Sequence, residues 1–109
     1  MNRQRASGGA DAPEDVCGAL QCAIKDLTWK EDVKARFLVL ILDAPCHGTK
    51  YHDYRDNYPS GDPHGLDPED QLRTLRDELG VHVMITEVPH SGLGKMLDIF
   101  SVCWHTGSV

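Results

Sequence analysis

"FLVLILDAPCHGTKYHDYRDNYPSGDPHGLDPED", residues 37–70, decides how this chain is read. Six apolar residues, Phe37 to Leu42, run without a polar interruption and stop at Asp43. An apolar run without alternation is the pattern of a strand covered on both faces, and such strands are mostly parallel ones inside an α/β sheet. Asp43 then stands at the carboxyl end of that strand, where the Ala44-Pro45 turn begins. Ligands of open α/β sheets collect beyond the carboxyl ends of strands, so a cation or polar ligand could meet the carboxylate there. The alternative is a carboxylate that accepts backbone N–H groups of a neighbouring turn.

Outward from this strand the pattern alternates. Upstream, Asp11-Ala12-Pro13-Glu14 reads as a helix start, with Asp11 as cap, Pro13 in the first turn and Glu14 completing a capping box. Val16, Leu20, Ala23, Ile24 and Leu27 follow at helical spacing, and Trp29 closes this helix or packs just beyond it. Downstream, residues 44–66 form a long loop rich in Pro, Gly, Asp, His and Tyr, of a length that is often functional. Asp67-Pro68-Glu69-Asp70 is a second helix start; Leu72, Leu75 and Leu79 form its buried stripe and Gly80 its end. Val81, Val83 and Ile85 mark a second strand, broken after Val88 by Pro89. Ser91 is placed to cap a last helix burying Leu93, Met96, Leu97 and Phe100. The order helix, strand, loop, helix, strand, helix predicts residues 37–42 and 81–86 as adjacent parallel strands with the 67–79 helix crossing between them.

Composition bounds the function. The 109 residues suffice for one small domain, with residues 1–10 as a disordered tail, 11–104 as the folded part and 105–109 as a second tail. The net charge of -6 argues against a nucleic-acid-binding surface. No apolar run approaches the roughly 20 residues of a membrane span. The N-terminus is not a secretory signal, because no apolar stretch follows its arginines. Cys17, Cys22, Cys46 and Cys103 lack C-x-x-C spacing and read as free thiols, which points to a reducing, cytoplasmic location.

The loop poses the chemical question. Cys46, His47, His52 and His64 offer sulfur and nitrogen ligands of the kind that zinc takes in a tetrahedron. Neighbouring side chains tend to diverge and no metal-binding knuckle is present, so the spacing disfavours zinc. The plainer reading is a folded loop whose His and Tyr side chains bond to its own backbone and cover the sheet edge. Cys46 beside His47 also invites a cysteine-hydrolase reading, but adjacent residues seldom reach nucleophile–base geometry and no oxyanion-hole signal is evident. GGAD lacks the Lys-Ser/Thr of a phosphate-binding loop.

Several stretches together carry a family resemblance: GGADAPEDVCGAL (8–20), RFLVLILDAPCHG (36–48), YH at 51–52, YPSGDPHGLDPED (58–70) and SGLGKMLDIF (91–100). They resemble von Willebrand factor A-type domains of the subgroup found beside alpha-kinase catalytic domains. The resemblance implies a doubly wound, Rossmann-like parallel sheet with a metal-ion-dependent adhesion site at its carboxyl edge. It implies Asp43, and as a second carboxylate Asp11, as ligands of that site. The family's Asp-x-Ser-x-Ser loop occurs nowhere in the chain. The chain therefore reads as the C-terminal half of such a domain, without its first strands. It is expected to be a non-catalytic protein-interaction module that holds Mg2+ weakly, with the kinase activity of such proteins in a separate domain. One edge of the 37–42 strand would stand unpaired and offer a surface for association with a protein partner.

Overall fold

The computed structural model describes residues 13–105. Arg36–Leu42 (β1) and Val81–Glu87 (β2) pair in parallel, from Arg36 opposite Val81 to Leu42 opposite Glu87. Among the described residues this is a two-stranded α/β sheet, and the expected strand–helix–strand order holds. Helix α1 (Val16–Lys25) precedes β1; α2 (Pro68–Arg73) continues as a π-helix, Thr74–Glu78, between the strands; α3 (Gly94–His105) follows β2. No helix among the described residues is long and apolar enough to cross a membrane.

Successive strand side chains point to opposite faces. On one face Leu38, Leu40 and Leu42 join Val81, Val83 and Ile85. They meet Leu20 of α1, Leu72 and Leu75 of the middle helix, and Met96 and Phe100 of α3 in one core. The other face is bare. Phe37, Val39, Ile41 and Met84 are 60%, 53%, 71% and 56% exposed. The expectation of a strand covered on both faces is therefore corrected: all three helices contribute to the core on the Leu40 face, so β1 has a buried row and an apolar exposed row.

The second helix starts as its sequence foretells. Asp67 accepts the Glu69 N–H at 2.9 Å, Pro68 occupies the first turn and Gly80, at φ 63°, ends the segment. The first helix does not. Asp11 lies outside the described residues, and the cap is Asp15, whose Oδ1 accepts the Gly18 N–H at 2.8 Å. A Cβ on residue 18 would lie 2.2 Å from Asp15 Oδ2, so glycine admits the capping carboxylate. Glu14 is diverted out of the helix because its N–H donates to Pro45 O at 2.8 Å, pairing it in parallel with Cys46. Leu27 falls beyond the helix and is 52% exposed, whereas Trp29 turns back and donates to Ala23 O at 2.9 Å.

Ser91 does not cap α3 either. Its N–H donates to Val88 O at 3.2 Å, and its hydroxyl bonds the same carbonyl. Pro89 then holds the second position of a turn and His90, at φ 66°, the third, as in a type II turn. That third position suits glycine; a non-glycine residue there costs roughly 1–2 kcal/mol. His90→Gly is expected to raise stability by about 0.5 kcal/mol, the strain relieved exceeding the added freedom of the unfolded chain. A urea melt at neutral pH checks the sign. At the far end of α3, Arg76 donates to Cys103 O and Trp104 O at 3.2 and 2.6 Å, satisfying helix-terminal carbonyls.

Candidate functional site

The 43–66 segment folds around Asp56. Its Oδ1 accepts from His47 Nδ1 at 2.7 Å and from the Tyr58 N–H at 2.8 Å. Its Oδ2 accepts from the Gly48 N–H at 2.6 Å and from His52 Nε2 at 2.8 Å. Four donors thus converge on one carboxylate whose side chain is fully buried, as is that of His52. Burial pushes the Asp56 carboxyl up, but the Gly48 and Tyr58 amides and the two imidazoles outweigh it and hold the group down at about 2. His52 Nδ1 accepts the Tyr54 N–H at 2.9 Å, which assigns the proton to Nε2 and aims it at Asp56. His47 stands edge-on to Tyr58, with ring centroids 4.9 Å apart.

A second carboxylate ties this loop to the middle helix. Glu69 accepts from the Tyr51 hydroxyl at 2.7 Å and from Lys50 Nζ. Burial opposes its ionisation, yet these donors leave its carboxyl below the ordinary range. Burial and the Glu69 bond push the Tyr51 hydroxyl up. The Tyr51 ring packs edge-on to Phe100, at 5.8 Å between centroids. The loop is therefore seated on α3 as part of the core.

The four candidate zinc ligands do not converge. Cys46 is 1% exposed and lies in the core, where its N–H reaches Met96 Sδ at 3.4 Å. His47 and His52 both turn to Asp56, and His64 is exposed in a separate Asx turn where Asp62 accepts its N–H at 2.8 Å. Among the described residues no three His, Cys, Asp or Glu side chains gather as a metal site. Burial pushes the Cys46 thiol up, the reverse of what activates a nucleophile, and likewise pushes Cys17 up to about 12.

Asp43 lies at the carboxyl end of β1, as read, and is exposed. Glu87 stands at the same end of the sheet, opposite Leu42, and its Oε2 accepts the Leu93 N–H at 3.2 Å. Magnesium requires near-octahedral oxygen coordination. Asp11 lies outside the described residues, and among those residues Asp43 and Glu87 alone do not supply that coordination. What sequence reasoning missed is Asp56. It is one of several aspartates in an Asp-rich loop, and its four donors come from residues 47, 48, 52 and 58, at spacings that carry no signature.

No protein-family model matches the chain. No solved structure matches it. Over 96 residues, or 88% of its length, the chain is 41% identical to the alpha-protein kinase vwkA of Dictyostelium discoideum. The chain spans about 15% of the length of that relative, so what it resembles is a small part of an alpha-protein kinase.

Proposed function

We propose that this chain is a non-catalytic protein-interaction module: part of a von Willebrand A-like domain that carries the Asp43 corner of an adhesion-type metal site. The observation that carries this reading is the half-covered sheet. Parallel strands are normally buried on both faces, and two strands alone give marginal stability. Here the apolar row Phe37, Val39 and Ile41 stands in solvent, and β1 has a strand neighbour on one edge only among the described residues. Such a sheet is completed by further polypeptide. The similarity to a short part of a kinase supports the reading, since phosphoryl transfer would then belong to other parts of such proteins. The four free cysteines support a reducing, cytoplasmic setting.

The test is completion of the sheet. The stretch of vwkA that immediately precedes its matched segment is fused ahead of this chain. The fusion is expected to melt at least about 10 °C higher than the chain alone, because a gain of 1 kcal/mol is worth about 4–8 °C in a domain of this size. It is also expected to bind less of an apolar dye, as Phe37, Val39 and Ile41 are covered. An unchanged melting temperature with unchanged dye binding would overturn the reading.

A further inference from the structure

We propose that the chain on its own forms a two-fold dimer in which β1 pairs antiparallel with β1 of a second copy. This names an occupant for the open edge described above, and it rests on the reading that the sheet is open there.

Natural edge strands are blunted by charges, prolines, bulges or short length. β1 has seven residues, no proline, and no charged residue between Phe37 and Leu42. Its composition also favours one register. In an antiparallel pair, residues directly opposite share a face, so a two-fold pair must be centred on a residue. Full overlap of Arg36–Leu42 places that centre at Val39. Phe37 of each copy then stands opposite Ile41 of the other, and Val39 opposite its own mate. These are aromatic–β-branched and β-branched pairs, the kinds that stabilise sheets, made by three side chains that are bare in the single chain.

Charge agrees with the same register. The amino end of β1 is basic, with Lys34 and Arg36, and the carboxyl end carries Asp43. Full overlap brings Asp43 of one copy opposite the small Ala35 of the other and sets the acidic end of each strand beside the basic end of its mate. A parallel pairing would align like ends. A slip of two residues one way would set Phe37 opposite Asp43, and the other way would set Ile41 opposite Ala35 and lose the Phe37–Ile41 pair, which disfavours both. Face-to-face stacking of the bare rows would bury mainly four side chains per copy and leave the ladder groups of both edges unpaired.

The two-fold centre supplies the test. Val39 is half exposed, so lysine or glutamate there leaves the core of the single chain intact. In the dimer each would face its own like charge across the axis. The wild-type 109-residue chain is expected to sediment as a dimer. Val39→Lys and Val39→Glu are each expected to sediment as monomers with unchanged far-ultraviolet circular dichroism, and an equimolar mixture to recover the dimer as a Lys–Glu heterodimer. A generic gain in solubility would lower association in each variant but would not be reversed by mixing. A monomeric wild type, a dimer indifferent to charge at position 39, a mixture that stays monomeric, or assembly that does not stop at two copies would each overturn the proposal. Failure here would leave the sheet-completion experiment, and the reading behind it, standing.

Discussion

Asp56→Ala is expected to cost the chain about 3–5 kcal/mol, the range for removing one partner of a buried charge network. A small domain has only about 5–15 kcal/mol in all. The effect is large because four donors lose one acceptor together. The His52 ring is fully buried and the Gly48 and Tyr58 amides are turned toward the carboxylate, so its removal leaves buried donors facing an emptied space. Asp56→Asn is expected to cost less, about 2 kcal/mol, since it keeps one acceptor oxygen but presents an N–H₂ group where a donor already points. Urea melts give the size. Amide exchange gives the place: Gly48 and Tyr58 are protected in the wild type and exchange rapidly in Asp56→Ala. Wild-type stability in both variants would show that the loop is held by other contacts.

The same carboxylate makes stability pH-dependent in a defined direction. Its pKa is about 2 in the folded chain against an ordinary 3.8, so the folded state favours the ionised form. The contribution is present in full above about pH 5 and is lost as pH falls through 3.8 toward 2, amounting to about 2 kcal/mol from this group. Asp56→Asn removes that part of the slope, which separates it from the acid sensitivity of the remaining carboxylates.

What could be read in the sequence was whatever depends on local period and punctuation. Six apolar residues marked β1, Asp67-Pro68 and Gly80 bracketed the middle helix, and the strand–helix–strand order carried the parallel pairing. What could not be read depends on contacts between distant residues. Glu14 leaves the expected capping box because Pro45 O lies beside it, and Ser91 is taken into a turn by Val88 O rather than capping α3. The continuous apolar run misled in a definite way. It registers that both faces of β1 suit burial, but it does not say which polypeptide covers the second. The loop hid its organiser for the same reason: histidines and a Cys-His pair draw notice as metal ligands, while the aspartate that binds two of those histidines looks like any other.

Magnesium is expected to bind the 109-residue chain weakly, with a Kd no tighter than about 1 mM, equivalent to about 4 kcal/mol. The ion gives up water reluctantly and needs several well-placed oxygens in exchange. Asp43 offers one exposed carboxylate, and the neighbouring Glu87 already accepts the Leu93 N–H. If the adhesion-site reading is right, a fused strand ending in Asp-x-Ser-x-Ser supplies a further carboxylate and two hydroxyls on the carboxyl side of the same sheet. Affinity is then expected to rise at least tenfold, about 1.4 kcal/mol, and Asp43→Ala in the fused protein to return it to the level of the chain alone. Calorimetric titration of the chain, the fusion and the Asp43→Ala fusion decides the matter. The substitution removes an exposed side chain with no role in the core, so a lost affinity would report on the ion and not on folding. Tight binding by the 109-residue chain that survives Asp43→Ala would place the site elsewhere. The 44–66 loop would be next in line, and His47 and His52 could join such a site only by releasing Asp56, so metal binding there would have to compete with the bonds that fold the loop.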